Sequence, residues 1–251
     1  MFEIGLKLGS KDILYTDDIL RYYNEGIFQY IELFSIPGTF EDTIAYWKRF
    51  KIPFGIHAPH SAAGLNLACC ENRYFNKLKI EESVKFADHL KADYIIFHSG
   101  IDGSPDEVIS QLKYYSDSRI LIENKPIRGL DGSICIGAKI DELQYIISSL
   151  KVGFCLDFGH AICAARTLNT DPLNFIQKLN QTLNPSVYHL TDGDYSSELD
   201  SHLHYGKGTF PLKSLLQFVP DGYKVTNEAK RYVNENLEEV KQDSLIIRKC
   251  K

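Results

Sequence analysis

Eight short apolar segments alternate with helix-like segments along the 251 residues of this chain. The apolar segments are nearly continuous runs, a pattern typical of strands in a parallel sheet that helices cover. Eight strand-then-helix units in about 250 residues predict an α/β protein that folds as a single (β/α)8 TIM barrel, with residues 1–251 forming one domain. In chain order, the predicted strands are FEIGLKL, QYIELF, IPFGIH, DYIIFH, SRILIEN, VGFCLDF, SVYHLTD and GYKVTNEA.

The segments between these strands carry apolar residues at helical spacing, and the last predicted helix is RYVNENLEEVKQ. The end of the chain, LIIRKCK, is expected to fray. An open, doubly wound sheet is the alternative architecture. No Gly-x-Gly-x-x-Gly follows the first strand, so a dinucleotide-binding fold of that kind has little support.

Composition and charge narrow the class of protein. The net charge of -5 does not favour nucleic acid or an anionic membrane as a partner, although it leaves room for a local basic patch. No stretch approaches the roughly 18 consecutive apolar residues of a membrane span, and MFEIGLKLGSKD lacks the apolar core of a secretory signal. The six cysteines form no Cys-x-x-Cys pair, so we expect free thiols and a cytoplasmic location.

Residues that can bind metals stand at or just after the ends of six consecutive predicted strands, and in one loop. Because the active site of such a barrel lies at the C-terminal ends of its strands, these side chains are expected to converge on one mouth. Each alone has an ordinary structural explanation, such as a helix cap for a carboxylate. Chance does not readily place nine together: His57, His98, Glu123, Asp157, His160, His189, Asp200, His202 and Glu228. In FCLDFGHA, we interpret Asp157 and His160 as a strand end followed by a turn.

Four carboxylates and five imidazoles at one mouth require a counter-charge, since like charges close together shift pKa values and destabilise a fold. A bound divalent metal supplies that charge, and neutral imidazole with carboxylate suits Zn²⁺ or Mn²⁺. Nine candidates exceed the roughly four ligands of one zinc ion. Two or three metals bridged by carboxylates, and a single metal with histidines that orient its ligands, both remain open.

The motifs IHAPH, LNLA, FHSG, IEN, LDFGHA, HLTDGD and DSHLHYGKG, with the strand-eight glutamate, come in the order seen in the xylose isomerase-like TIM barrels. From Ile56 to Glu228 the chain resembles that superfamily, which includes the endonuclease IV group of apurinic endonucleases and many sugar or sugar-phosphate isomerases and epimerases. Resemblance to endonuclease IV implies three zinc ions held by all nine residues. Resemblance to the isomerases implies one divalent metal, held by Glu123, Asp157, His189 and Glu228.

Three features depart from the endonuclease IV pattern. The loop after strand two reads ELFSIPGTFED, where that family has a polar loop with arginine and glutamine that enters DNA. Ser201 stands where the family's Asp-Arg-His motif has its arginine, and His60 stands where the family has a tyrosine. The missing groups would contact phosphates or fill a gap in DNA. The departures therefore argue against repair of duplex DNA and leave the metal ligands intact.

The favoured hypothesis is an enzyme, a divalent-metal-dependent isomerase or epimerase that acts on a small sugar or sugar phosphate through a metal-stabilised enediolate. Glu123 or Glu228 would move the proton, and His160 is a third candidate catalytic residue. The candidate substrate-binding residues are Lys125, His60, His204 and Lys207.

The alternative is a zinc-dependent phosphodiesterase of the endonuclease IV type, in which metal-activated water attacks a phosphodiester and duplex DNA is the partner. The full set of nine ligands supports it, because a one-metal isomerase does not need His57, His98, Asp200 and His202 as ligands. A non-catalytic sugar-binding barrel is a third hypothesis, and the intact set of acids and histidines disfavours it.

Overall fold

The computed structural model describes residues 2–230 and 236–250. Its eight strands are parallel, and each pairs with the next until β8 pairs with β1, so that the sheet closes into a barrel. The predicted (β/α)8 TIM barrel is therefore confirmed, and the open sheet is excluded. The strands are β1 (Glu3–Gly9), β2 (Tyr30–Phe34), β3 (Phe54–His57), β4 (Ile95–His98), β5 (Ile120–Glu123), β6 (Gly153–Asp157), β7 (Val187–Leu190) and β8 (Lys224–Asn227).

Helices follow the strands and cover the outside of the barrel. No helix in the described part of the chain is long and apolar enough to cross a membrane. The helices are α1 (Thr16–Asn24), α2 (Phe40–Trp47), α3 (Arg73–Leu90), α4 (Pro105–Leu112), α5 (Ile140–Leu150), α6 (Phe158–Thr167), α7 (Pro172–Leu183), α8 (Leu212–Leu216) and α9 (Glu238–Cys250).

The C-terminal helix differs from the expectation. The predicted helix RYVNENLEEVKQ begins at residue 231, and residues 231–235 lie outside the described part of the chain. Helix α9 continues to Cys250, so the prediction of a frayed end is wrong for the described residues. Val240 and Ile247 are buried in the core, and this packing stabilises a segment whose sequence alone suggests a tail.

The segment FCLDFGHA also differs from the expectation. Strand β6 leads directly into α6 without an intervening turn, and Asp157 is the N-cap residue. The Asp157 carboxylate accepts a hydrogen bond from the backbone N–H of His160 at 2.6 Å, so His160 lies in the first turn of the helix. Residues from Phe158 to Ala165 are all buried. The helix therefore lacks the one-sided apolar spacing by which a surface helix is recognised.

Two tyrosines help to fill the barrel interior beneath the mouth. A Cβ at Gly5 would overlap the ring of Tyr30, and one at Gly55 would overlap the ring of Tyr94, so both glycines make room for a ring. The Tyr94 hydroxyl donates a hydrogen bond to Glu32 at 2.7 Å. The floor of the mouth is therefore a polar layer above a small buried cluster of Tyr30, Tyr94, Ile96, Leu121, Cys155 and Val187.

Candidate metal centre

All nine candidate metal ligands lie together at the C-terminal mouth of the barrel. The strand register places His98 opposite Glu123, and Asp157 opposite His189. Within the described ranges, their donor atoms form overlapping groups of three or four in which every pair of atoms lies within 4.8 Å, and Glu32 and Cys155 each belong to one of these groups. We refer to the nine residues together as the basin.

One group of three, which we call the strand cluster, consists of His57, His98 and Glu123. Each is the last residue of its strand, β3, β4 or β5. Glu123 Oε2 lies 3.2 Å from His57 Nε2 and 3.1 Å from His98 Nε2. All three side chains are buried. Because paired strands fix the backbone at each position, these donors are held in place by the barrel itself.

A second group of three, which we call the loop cluster, consists of His160, Asp200 and His202. Asp200 Oδ2 lies 2.5 Å from His202 Nε2 and 3.6 Å from His160 Nε2. His160 belongs to α6, whereas the other two lie in the loop between β7 and α8. His202 has a φ of 49°, in the sparsely populated left-handed region. The Asp192 carboxylate braces this loop by accepting backbone hydrogen bonds from the Gly206–Gly208 turn.

The remaining basin residues, Asp157, His189 and Glu228, surround Glu123. His189 Nδ1 lies 3.3 Å from Glu123 Oε2 and 3.0 Å from Glu228 Oε1. Asp157 is held by the side chain of Asn124, which bonds to its backbone N–H at 2.8 Å and its carbonyl at 2.9 Å. This reciprocal pair ties the end of β5 to the end of β6, and so fixes two carboxylates relative to each other.

Backbone carbonyls orient the rings of three histidines in the basin, and Nδ1 of one of them, His160, also lies 3.0 Å from Glu123 Oε1. A carbonyl oxygen only accepts a hydrogen bond, so the Nδ1 beside it carries the hydrogen and Nε2 keeps its lone pair for a ligand. This carbonyl-held arrangement is typical of metal-binding histidines. The distances from Nδ1 to the carbonyl are 2.7 Å for His57 to Ala58, 2.9 Å for His160 to Asn124 and 2.9 Å for His202 to Glu228.

Two further charged residues, Lys7 and Glu32, were missed by the sequence reasoning. They are register partners on β1 and β2, and Lys7 Nζ lies 3.2 Å from Glu32 Oε1. Lys7 also forms an ion pair with Glu228. A signal was present, because Glu32 is the one charged residue of QYIELF, and Lys7 stands between apolar residues near the end of FEIGLKL. A charge in a buried strand is rare unless it has a partner.

The charges of the loop cluster shift one another's pKa values. Burial opposes a charged imidazole, but the Asp157 carboxylate, with Asp200, raises the pKa of His160 to about 10. Burial likewise opposes charge on His202, yet its hydrogen bond to Asp200 raises the pKa to about 9. Burial is the main reason that the pKa of Asp157 rises to about 6. The carboxylates thus attract positive charge to these imidazoles, and a divalent cation would take the place of the protons.

Several buried polar atoms of the basin lack a hydrogen-bond partner in the described ranges and are suited to bind a metal ion. His98 Nε2, Glu123 Oε1 and His189 Nδ1 have no partner in hydrogen-bonding geometry among the described residues. A buried polar atom left in this way costs about 1–3 kcal/mol. Imidazole nitrogen and carboxylate oxygen are donors that Zn²⁺ and Mn²⁺ accept, so the residues present fit a divalent metal.

A cavity of about 550 Å³ opens over the basin. Its wall includes the basin residues His160 and Glu228, together with Lys7. The loop between β5 and α5 forms one side of the wall and contributes Arg128, a cation that the sequence reasoning did not select. The volume lies within the range of small-molecule sites, which is about 300–1,000 Å³.

The four predicted substrate-binding residues divide into two pairs. Lys125 and His60 line the cavity. His204 and Lys207 are not part of its wall. His204 Nδ1 lies 2.8 Å from Asp243 Oδ2 on α9, and Lys207 is exposed on the loop. The structure therefore does not bring His204 or Lys207 to the site, because the loop turns both away from the mouth.

Comparison with known proteins shows which protein family the chain matches. The chain matches the family described as Xylose isomerase-like TIM barrel over residues 28–250. A probable endonuclease 4 of Thermoplasma volcanium is 27% identical over 177 residues, which cover 64% of this chain and 61% of that relative. The chain thus matches less than two thirds of the length of that relative.

Two solved structures share the fold over almost the whole chain. A D-tagatose 3-epimerase-like protein has a TM-score of 0.71 at 20% identity, covering 99% of this chain and 96% of that one. Endonuclease IV of Thermus thermophilus has a TM-score of 0.70 at 21% identity, covering 99% and 98%. At such identities the likeness shows the fold alone. The match over residues 28–250 shows that the chain belongs to the xylose isomerase-like TIM barrel family of enzymes.

Proposed function

We propose that this protein is a zinc-dependent phosphoesterase of the endonuclease IV kind. The observation that carries the proposal is that the overlapping donor groups at the mouth include two three-residue clusters with no residue in common. They add His57, His98, Asp200 and His202 to the four residues that a one-metal isomerase would use. Hydrolysis of a phosphate ester benefits from more than one cation, because charge develops on both the attacking and the leaving oxygen. This weighs against the isomerase that the sequence favours.

When bound, the divalent metals would activate water and neutralise charge during an in-line displacement at phosphorus. The strand and loop clusters would hold them, together with Asp157, His189 and Glu228. Lys7, which pairs with Glu228 in the cavity wall, is placed to contact an anionic oxygen of the substrate. Burial, with the neighbouring His57 and Lys125, lowers the pKa of His60 to about 4, so that at neutral pH it can accept a hydrogen bond from a substrate hydroxyl.

The substrate we propose is an anionic phosphate ester small enough to enter the cavity. Lys7, Lys125 and Arg128 place three cationic side chains on its wall, where Asp131, Asp200 and Glu228 balance them. Bound divalent metals would add the positive charge that favours a negatively charged ligand. The loop between β2 and α2 comprises only residues 35–39, with the sequence SIPGT. Such a loop has no arginine or glutamine to insert into a duplex, so a small ester suits the site better than DNA.

A sugar or sugar-phosphate isomerase or epimerase is the second candidate. The size of the cavity favours it, because the volume suits one small polar ligand. Glu228 lies in the wall and is a candidate base for a proton on a substrate carbon. Glu123, the other predicted base, is fully buried and is not part of the wall.

The test follows two reactions with the same zinc-loaded or manganese-loaded protein. Bis-p-nitrophenyl phosphate and a duplex containing one abasic site are assayed for hydrolysis in water enriched in heavy oxygen. Sugar phosphates are assayed in heavy water for exchange of carbon-bound protons. The proposal predicts metal-dependent hydrolysis of the small ester, with solvent oxygen in the phosphate product. Proton exchange without hydrolysis would contradict it and support the isomerase.

The matched variant in both assays is Asp200→Asn, which keeps the shape of the side chain and removes one ligand charge. A phosphoesterase that uses the loop cluster should lose hydrolysis with this change. A one-metal isomerase should retain proton exchange, since Asp200 is not among its four ligands. Efficient nicking of the abasic duplex, but not of the small ester, would show that DNA is the substrate and that the size argument is wrong.

A further inference from the structure

We propose that Glu32 is a positioning residue that presents His189 to the basin through Nδ1, with Lys7 as the counter-charge of Glu32. The proposal rests on the metal-dependent function proposed above. Neither residue belongs to the nine candidate ligands. Both lie on β1 and β2, the two strands that contribute none of the nine.

Glu32 is a fully buried carboxylate with one oxygen saturated by donors. Its Oε2 accepts hydrogen bonds from the Tyr94 hydroxyl at 2.7 Å and the Thr226 hydroxyl at 2.8 Å. His189 Nε2 lies 3.0 Å from the same oxygen. Three donors on one oxygen leave the carboxylate little freedom to turn, so it holds the imidazole in a fixed orientation.

The direction of the hydrogen bond from His189 follows from this environment. An ionised carboxylate only accepts, so Nε2 must carry the hydrogen and donate it to Glu32. The lone pair of a neutral imidazole is then on Nδ1, which faces Glu123 and Glu228 without hydrogen-bonding geometry to either. His189 is therefore the reverse of His57, His160 and His202, whose Nδ1–H groups face backbone carbonyls. Without Glu32, nothing in these contacts would select this tautomer.

The ion pair with Lys7 offsets the energetic cost of burying the Glu32 carboxylate. An isolated charge in a barrel interior is costly unless it is paired, and Lys7 Nζ lies 3.2 Å from Glu32 Oε1. The register of β1 and β2 places the two side by side, and Lys7 reaches onward to Glu228. The pair thus adds a carboxylate beneath the basin without adding net charge to it.

If Glu32 only stabilises the fold, His189 need not carry its hydrogen on Nε2. The tautomer of His189 therefore distinguishes a positioning role from a purely structural role. Nuclear magnetic resonance on protein with isotope-labelled histidine reports which ring nitrogen carries the hydrogen, and the His189 signals are assigned by their loss in His189→Asn. In the zinc-loaded protein, where these imidazoles are neutral, we expect hydrogen on Nε2 of His189, and on Nδ1 of His57, His160 and His202. Hydrogen on Nδ1 of His189 in the folded, zinc-loaded wild type would overturn the proposal.

The second readout is zinc affinity, measured by competition with a chelating dye. Glu32→Leu removes the acceptor at similar size, and loss of a partner that orients a ligand costs about 10–100-fold in metal affinity. We expect the full loss for Glu32→Leu and a smaller one for Glu32→Gln, which keeps an acceptor oxygen. Glu82→Leu is the matched control, because Glu82 is a carboxylate outside the basin that accepts backbone hydrogen bonds from Gly38, Thr39 and Phe40. It should leave the affinity nearly unchanged.

Equal zinc affinity in Glu32→Leu and Glu82→Leu would overturn the proposal. If Glu32→Leu does not fold, the double variant Lys7→Met with Glu32→Leu removes the stranded charge, and the wild-type tautomer still decides the question. The readouts also separate this proposal from the proposed function. The expected tautomer and affinities in a protein that hydrolyses no phosphate ester would support this proposal and contradict only the phosphoesterase. Absence of zinc binding would contradict both.

Discussion

The strand cluster and the loop cluster offer the same kinds of donor on different supports. His57, His98 and Glu123 end three adjacent strands and are buried. Asp200 and His202 lie on the loop after β7 and are partly exposed. Paired strands hold side chains more rigidly than loops do, and local opening begins where backbone hydrogen bonds are few. The comparison teaches that one half of the basin is formed by the barrel and the other half depends on how a loop is braced.

This difference leads to unequal roles. The strand cluster should bind its metal more tightly, because little ordering accompanies binding. The loop cluster should exchange its metal more readily, because Asp200 and His202 are partly exposed. The following experiments test the contrast, from the largest expected effect to the smallest.

Glu123→Gln should have the largest effect. Glu123 lies within 3.3 Å of His57, His98, His160 and His189, so removal of its charge affects both halves of the basin. We expect a loss of about a thousandfold in kcat/KM for ester hydrolysis, together with loss of bound metal. Steady-state kinetics and elemental analysis measure the two. The exposed Glu198→Gln is the control, and full activity in Glu123→Gln would refute the role of the basin.

Asp200→Asn should lower the metal content less than Glu123→Gln does, because Asp200 contacts the residues of only one cluster. We expect the loss of one metal per chain and about a hundredfold decrease in kcat/KM, while the strand cluster retains its metal. The same kinetic and elemental measurements apply. Loss of as much metal as in Glu123→Gln would show that the two clusters do not bind independently.

Chelation should empty the two clusters in sequence. During titration with a chelator, the metal of the loop cluster should leave first and that of the strand cluster later. A ligand at about a thousand times its Kd adds about 4 kcal/mol to the free energy of unfolding, which for a domain of this size raises Tm by about 10 °C. Differential scanning calorimetry during the titration would show two steps, most of the stabilisation being lost in the second. A decrease of Tm in a single step would contradict the proposed difference in metal affinity between the two clusters.

His204→Asn should affect stability and leave catalysis almost unchanged. His204 hydrogen-bonds the buried carboxylate of Asp243 at 2.8 Å, and loss of that partner should lower the free energy of unfolding by about 1 kcal/mol. Urea denaturation measures this change, and ester hydrolysis should stay within about twofold. A large fall in activity at unchanged stability would restore His204 as a substrate-binding residue.

The strand-borne half of the site could be predicted from the sequence because strand ends are easy to recognise. An apolar run that stops at His98 or Glu123 fixes both the element and the residue that faces the mouth, and the parallel order of the barrel then brings the ends together. The same reasoning found Asp157, although it interpreted the following residues as a turn. Helix α6 is buried throughout, so its sequence carries no amphipathic pattern.

The remaining features of the site, which are the Lys7–Glu32 pair and the path of the loop after His202, depend on tertiary contacts that no local sequence pattern shows. Lys7 and Glu32 lie inside their strands, and their pairing follows from the register of β1 and β2. His204 and Lys207 follow two loop residues of the basin in sequence, yet the loop turns after His202. Its path is set by the bonds of Asp192 and by the contact between His204 and Asp243. Such a path is a property of the folded chain.

The most direct test is a crystal structure of the zinc-loaded protein with X-ray data collected at the zinc absorption edge. The account predicts anomalous peaks in both the strand cluster and the loop cluster, with His189 facing metal through Nδ1. A single peak bound only by Glu123, Asp157, His189 and Glu228, with no peak bound by His57 and His98 and none bound by Asp200 and His202, would contradict it and restore the one-metal isomerase.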